Sequence, residues 1–333
     1  YIFILIHTSW YNCTKKRKNR KINLGKNAKK EDDLMDEEMM FEMSAGSLEG
    51  LPSVGEMFDL TGKVAVVSGT IGLALSVIYR LASCGAKVVF GARRETVGQM
   101  AEERLREMGL DVRFHKLDVS SVESCREIVA FAEQTYGTVD IVVPVAAAFF
   151  ARAFVDIKES EYDHIVDVDQ KGQYFLVQAA ARSMIRGKKG GKVVTVASVA
   201  YRGEDMPKLA MMTAYNTAKA GVVGMTRGIA KELKQYGINV NCVAPGGMVT
   251  PGAIFNNTTT AELYGPEWTR YVTEYGAGVP VAPNPDEIAR MILTLCTPVS
   301  DFMYGQTVEV DGGSQFSFQD KPWSYTMEGG LHA

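Results

Sequence analysis

A single doubly wound α/β domain, built on a mostly parallel seven-stranded sheet with helices on both faces, is the fold that this sequence predicts. Three observations point to it. From Phe58 onward, short β-branched runs alternate with longer stretches of helical composition. Regular alternation of this kind gives parallel strands joined by right-handed crossovers, with helices over both faces. The first run leads at once into a glycine turn, Gly69-Thr-Ile-Gly72, which is how a βαβ unit opens. No composition break or internal repeat divides residues 58–317. The expected organisation is therefore one domain at 57–317, a charged, poorly ordered tail at 1–56 and a short C-terminal tail at 318–333.

The elements follow in order. Lys63-Val-Ala-Val-Val67 reads as the first strand, because β-branched side chains suit a pleated, buried surface. Ile71 to Leu81 has helical composition, and Gly85-Ala86 stops it. Lys87-Val-Val-Phe90 is the second strand, Glu95 to Met108 a charged amphipathic helix, and Val112 to Leu117 the third strand. Apolar runs of strand length predict further strands at Ile141–Val143, Lys192–Val196, Val240–Val243 and Thr307–Val310. Helices are expected between them at Glu159–Arg186, Ala214–Tyr236 and Asp286–Leu295.

Composition narrows the partners. The chain is 46% hydrophobic and 23% charged, with a formal net charge of −3, so no global field draws it to nucleic acid or to an anionic membrane. A small molecule is the expected partner. Five scattered cysteines form no C-x-x-C pair and four histidines no H-x-x-x-H pair, which argues against a disulfide framework or a metal site and for a reducing, cytoplasmic setting. Tyr1 to Ile6 is apolar, but it is short and its basic cluster (Lys15 to Lys21) follows it. Neither export nor membrane spanning is expected.

In a Rossmann-type sheet, ligands bind at the carboxyl ends of the strands, where a helix N-terminus attracts phosphate. Gly69, Thr70, Ile71 and Gly72 stand there, with Ala74 where a third small residue allows close helix–sheet packing. The second strand ends in Ala92-Arg93-Arg94 and carries no acidic residue for a ribose hydroxyl. Arg93 and Arg94 can pair with a 2′-phosphate, so NADP(H) is the expected cofactor and NAD(H) the alternative. Asp118-Val119 ends the third strand, where a carboxylate can accept the adenine amino group; the other reading of Asp118 is a helix N-cap.

Hydride transfer to a ketone needs a proton donor at the developing alkoxide. Tyr215-Asn-Thr-Ala-Lys219 puts a phenol and an ammonium on one helix face, and a nearby cation favours the phenolate. The pair alone is weak, because about one such match is expected by chance from ordinary composition, and Tyr11 and Lys15 supply another. Context separates them. Ser198 lies just past a predicted strand, and Pro245-Gly246-Gly247-Met248-Val249-Thr250 follows another.

With these residues, Asp118-Val119 and the ending Gly305-Gln-Thr-Val-Glu-Val-Asp311-Gly-Gly313, the sequence resembles the short-chain dehydrogenase/reductase family over residues 58–317. The resemblance implies an NADP(H)-dependent enzyme interconverting a ketone and a secondary alcohol. In it Tyr215 is the general acid/base, Ser198 polarises the substrate oxygen, Lys219 lowers the Tyr215 pKa and holds ribose, Thr250 lies near the nicotinamide amide, and Pro245, Gly246 and Ala146 also bind the cofactor. It also implies a homodimer or homotetramer. Three departures stand out. The glycine turn is one residue short of the family's Thr-Gly-x-x-x-Gly-x-Gly, Pro144-Val145-Ala146-Ala147 replaces Asn-Asn-Ala-Gly, and Asp169 stands where the family's tetrad has Asn. Their clustering around the cofactor keeps a second reading open, a cofactor-binding protein without redox turnover. Pro251 to Pro283, with Phe255, Tyr264, Trp268, Tyr271 and Tyr275, falls where the family has its substrate lid. Together with Met206, Met211 and Met212 it suggests a partly apolar pocket, although the spacing of these aromatics also suits a core helix.

Overall fold

Seven strands form one sheet in which every neighbouring pair is parallel. They are β1 (Val64–Ser68), β2 (Lys87–Ala92), β3 (Val112–Lys116), β4 (Ile141–Pro144), β5 (Gly191–Val196), β6 (Ile238–Pro245) and β7 (Thr307–Val310). Their order is β3-β2-β1-β4-β5-β6-β7, so the winding reverses between β1 and β4. This is a computed structural model, and it describes residues 37–203, 211–270, 281–314, 325–326 and 330–331. The chain divides into two units, Tyr1–Pro52 and Ser53–Ala333. Within the first, Glu37–Gly46 is helical. The second contains the sheet.

The alternation of side chains along each strand explains the two-sided core. Ala65 and Val67 of β1, with Val88 and Phe90 of β2, face α1 (Leu73–Ser83), α2 (Glu95–Glu107) and α8 (Asp286–Cys296) through Val77, Ile78, Leu81, Leu105 and Ile292. Val64, Val66 and Val89 point the other way, onto α3 (Val122–Tyr136), α5 (Gly172–Gly187) and α6 (Thr213–Leu233), through Ile128, Leu176 and Ala230. A period of two along a strand sends neighbours to opposite faces. The β1 run is therefore apolar throughout because both of its faces are covered.

The expected strands are all present, with several extended at their ends. Three helical features depart from expectation. α3 was not among the expected helices, although its ends are written in the chain: the Ser121 side chain accepts from the Ser124 N–H, and Gly137 closes it at φ 86°. Ser121, not Asp118, is thus its cap. The expected helix at Glu159–Arg186 is two helices, α4 (Glu159–Val166) and α5, joined by a π-helical turn at Asp167–Lys171 that carries Asp169. Within the Pro251–Pro283 segment, α7 (Pro251–Tyr264) begins at Thr250, whose hydroxyl accepts from the Ala253 N–H, with Pro251 in the first turn. Among the described residues no helix is long and apolar enough to cross a membrane.

Candidate active site

The reversal between β1 and β4 leaves a cleft of about 650 Å³ at the carboxyl ends of the strands, where open α/β sheets bind ligands. Its floor is the turn from β1 into α1. Gly69 has φ 109°, and a Cβ there would lie 2.7 Å from the Ala74 Cβ. Gly72 has φ 57° and caps α1 without a side chain; a Cβ on it would lie 3.2 Å from Thr250. Only glycine satisfies both positions without strain. The shortened turn thus still delivers a bare helix N-terminus to the cleft, beside Thr70 and Ile71. Across from it, Ser68 Oγ accepts from the Ala146 N–H at 3.0 Å, which ties the turn to the end of β4. Arg93 and Arg94 are exposed and line the same cleft from the end of β2.

The opposite wall comes from β5, α6 and β6. Ser198 follows β5; its Oγ accepts from the Ala200 N–H at 3.2 Å and donates to the Pro245 carbonyl at 3.4 Å. It caps the turn Val199–Arg202 and also faces the cleft. Tyr215 and Lys219 lie one turn apart on α6, with Lys219 Nζ 5.4 Å from the Tyr215 ring centre. The Phe149 ring meets Tyr215 edge-on at 5.1 Å. Gly246 receives the end of β7: its N–H donates to the Val310 carbonyl at 3.0 Å, and a Cβ on it would lie 2.7 Å from the Asp311 Cα.

Lys219 is 1% exposed and Asp169 is 0% exposed, yet both are ionisable. Lys219 Nζ lies 2.9 Å from Asp169 Oδ1 and donates to the Val196 carbonyl at 3.1 Å. Asp169 Oδ2 accepts from the Ala148 N–H at 3.0 Å, anchoring the loop that follows β4. Burial alone would lower the Lys219 pKa, but the adjacent Asp169 carboxylate outweighs it and holds the ammonium charged. Burial pushes the Asp169 carboxyl above its usual range, and Lys219 opposes that push. The π turn is what brings Asp169 to this point, since a π bulge rotates its residue out of ordinary α-helical register.

Thirteen sequence-predicted site residues line this cleft: Gly69, Thr70, Ile71, Gly72, Arg93, Arg94, Ala146, Ser198, Tyr215, Lys219, Pro245, Gly246 and Thr250. Asp169 lies behind Lys219, outside the lining, and Asp118 and Val119 are also outside it. Asp118 Oδ1 accepts from both the N–H and the hydroxyl of Ser120, bonds that overcome burial and keep its carboxyl below the usual range. Val119 packs under α5, where a Cβ on Gly172 would lie 2.7 Å from the Val119 carbonyl. Of the aromatics in the Pro251–Pro283 segment, Trp268 is buried and lines the cleft, Tyr264 Oη accepts from the Ala153 N–H at 3.1 Å, and Phe255 is exposed. Met212 lines the cleft; Met206, Tyr271 and Tyr275 lie outside the described residues. Sequence reasoning missed Phe149 and Gln173, since neither belongs to a motif.

Residues 67–315 match a family model described as "Enoyl-(Acyl carrier protein) reductase". The chain belongs to the short-chain dehydrogenase/reductase family. Galactitol 2-dehydrogenase of Agrobacterium fabrum is 31% identical over 78% of this chain and 99% of its own length. Dehydrogenase/reductase SDR family member 4 of Bos taurus is 31% identical, covering 77% of this chain and 88% of its own. Among solved structures, a variant of actinorhodin polyketide ketoreductase with NADPH superposes with a TM-score of 0.69 at 27% identity, over 75% of this chain and 96% of that one. This short-chain dehydrogenase is a ketone/alcohol oxidoreductase that uses a nicotinamide cofactor.

Proposed function

We infer that this enzyme interconverts a ketone and a secondary alcohol with NADP(H), using Tyr215 as general acid/base. The observation that carries the reading is the buried Lys219 ammonium, held charged by Asp169 and set 5.4 Å from the Tyr215 ring in the cleft that also contains Ser198 and the glycine turn. A fixed cation beside a phenol stabilises the phenolate, which brings a tyrosine toward the pKa range useful for proton transfer near neutral pH. In the reductive direction Tyr215 Oη gives its proton to the substrate oxygen, while the Ser198 hydroxyl turns its one hydrogen from the Pro245 carbonyl to the same oxygen. In the oxidative direction the phenolate removes the alcohol proton.

The residues fit the cofactor. Gly69 and Gly72 leave a cradle that a Cβ would fill, and the uncapped start of α1 offers N–H groups to a pyrophosphate. Arg93, with Arg94, supplies the cation for a 2′-phosphate, which favours NADP(H) over NAD(H). Lys219 would hold the ribose, and Ala146, Pro245, Gly246 and Thr250 would flank the nicotinamide. When bound, the cofactor supplies or accepts the hydride. Asp118 and Val119 remain proposed neighbours of adenine, the domain boundaries remain 57–317, and the enzyme is proposed to act in the cytoplasm as a homodimer or homotetramer.

The test uses purified enzyme, NADPH and a panel of neutral and acidic ketones, including the keto forms of polyols. Tyr215→Phe should lower kcat by about 10²- to 10⁴-fold while NADPH affinity stays within about twofold, as expected when only a transition-state interaction is lost. Unchanged turnover would remove Tyr215 from the reaction. Tight NADPH binding by the wild type with no turnover on any ketone would favour the second reading, cofactor binding without redox chemistry.

A further inference from the structure

Strand β5 is longer than its neighbour on the β4 side. β4 pairs with β5 only at Ile141↔Lys192 and Val142↔Val193, whereas β5 continues alongside β6 as far as Val196↔Val243. β4 itself ends at Pro144, which has no N–H to offer a ladder. Successive residues of a strand aim their N–H groups to opposite sides. The Ala197 N–H donates to Val243 of β6, so the Val196 N–H points toward the side where β4 has already ended. A buried N–H and C=O at that place need partners.

Gln173 meets that need. It is 2% exposed; its Nε2 donates to the Val196 carbonyl at 2.8 Å, and its Oε1 accepts from the Val196 N–H at 3.1 Å. One side-chain amide therefore takes the place of a missing strand residue, offering one donor and one acceptor as a peptide group does. The same Val196 carbonyl accepts from Lys219 Nζ at 3.1 Å. Its two lone pairs are thus shared between Gln173 and Lys219. Asp169 and Gln173 sit four positions apart on the π turn and the start of α5, so one helical segment fixes the ammonium twice, by ion pair and through the carbonyl that it locks in place.

We propose that Gln173 is a positioning residue for Lys219, acting through the Val196 carbonyl as a side-chain substitute for the β4 strand that Pro144 ends. Without Gln173, the Val196 N–H loses the acceptor described for it and the carbonyl loses one of its two donors; the carbonyl turns, and Lys219 loses the acceptor that balances Asp169. The ammonium then shifts toward Asp169, away from Tyr215 and from the place where ribose would be held. The proposal rests on the roles read above for Tyr215 and Lys219.

Three full-length variants test it side by side: Gln173→Met, which keeps volume and removes both bonds; Gln173→Glu, which keeps an acceptor for the Val196 N–H and removes the donor; and Tyr215→Phe. Both Gln173 variants should lose kcat by about 10- to 100-fold, the scale of a small misplacement in a catalytic group. Ketone KM should stay within about twofold, because nothing touching the substrate has changed. NADPH Kd, read by fluorescence titration without turnover, should rise several-fold. Wild-type kcat and NADPH Kd in folded Gln173 variants, with Tyr215→Phe inactive, would overturn this proposal alone; an active Tyr215→Phe would instead overturn the reading on which it rests. Hydrogen exchange on the wild type needs no variant. The Val196 amide should be as protected as those of Val193 and Val194, and exchange at the rate of a frayed strand end would contradict the substitution of side chain for strand.

Discussion

Arg80 and Asp286 join α1 to α8 through two bonds of 2.6 Å, with side chains 36% and 13% exposed. Lys219 and Asp169 meet at 2.9 Å with side chains 2% and 0% exposed. Each half of the sheet thus carries a close pair, in opposite surroundings. The Arg80–Asp286 pair is bidentate, partly exposed and outside the lining of the cleft, and it joins two helices of the layer over β1. The Lys219–Asp169 pair is dry, and the fold holds it there at a desolvation cost that the Coulomb attraction does not necessarily offset. Such a pair is a poor stabilising device. Its position behind Tyr215 accounts for it better, because it keeps a cation in a fixed place beside a phenol.

A double comparison in urea probes the contrast where it is largest. Asp169→Ala leaves a buried ammonium uncompensated and should cost about 3–5 kcal/mol. Arg80→Ala, after allowance for solvent screening at a partly exposed site, should cost about 1 kcal/mol or less. Equal losses would show that burial does not distinguish the pairs.

The same contrast extends to the two walls of the cleft. The β1–α1 wall works through backbone shape, so Gly69→Ala should weaken NADPH binding by about 10- to 100-fold: forcing a side chain into this conformation costs about 1–3 kcal/mol, and about 1.4 kcal/mol is tenfold in Kd. Near-normal affinity by fluorescence titration would mean that phosphate is not bound at this turn. Arg93→Ala should lower the preference for NADPH over NADH in kcat/KM by about tenfold, the scale of one charge-assisted hydrogen bond; an unchanged ratio would assign the choice to other residues.

The smallest expected effect is the pH dependence of the outer pair. Hydrogen bonds from Arg80 hold the Asp286 carboxyl below its usual range against the opposing effect of burial. A carboxyl lowered in the folded state adds stability that is present above the ordinary aspartate value and is lost as pH falls through the folded value. Asp286→Asn should therefore be less stable than the wild type at neutral pH by about 1 kcal/mol, and the gap should close in acid. A gap that persists below pH ~3 would assign the loss to packing.

The sheet was legible because parallel strands buried on both faces are apolar runs, and Val64 to Val67 or Val193 to Val196 are short and rich in β-branched residues, which favours strand over helix. α3 was missed although Val122–Tyr136 has an apolar face; its end signals, the cap at Ser121 and the stop at Gly137, were written in the chain. The π turn at Asp167–Lys171 has no local composition mark; it depends on the packing of α6, where a Cβ on Gly221 would lie 2.5 Å from the Gln170 side chain. Tyr215, Lys219 and Ser198 were legible as spacing and context. Gln173 was not, because its role exists only once β4 stops short of β5, and its own partner Val196 lies 23 positions away, beyond any local pattern.

Whether the buried pair serves proton transfer by Tyr215 during ketone reduction, and is not a relic in a cofactor-binding fold, can be read from deuterium transfer. The enzyme is mixed with NADPH deuterated at the reactive ring carbon, together with the ketones of the panel, and the alcohols are examined by mass spectrometry. With the wild type, deuterium is expected on the carbinol carbon of at least one product; with Tyr215→Phe it should be lost although that variant binds NADPH. Bound cofactor with no deuterated alcohol from the wild type, or equal label from both proteins, would contradict that role for the pair.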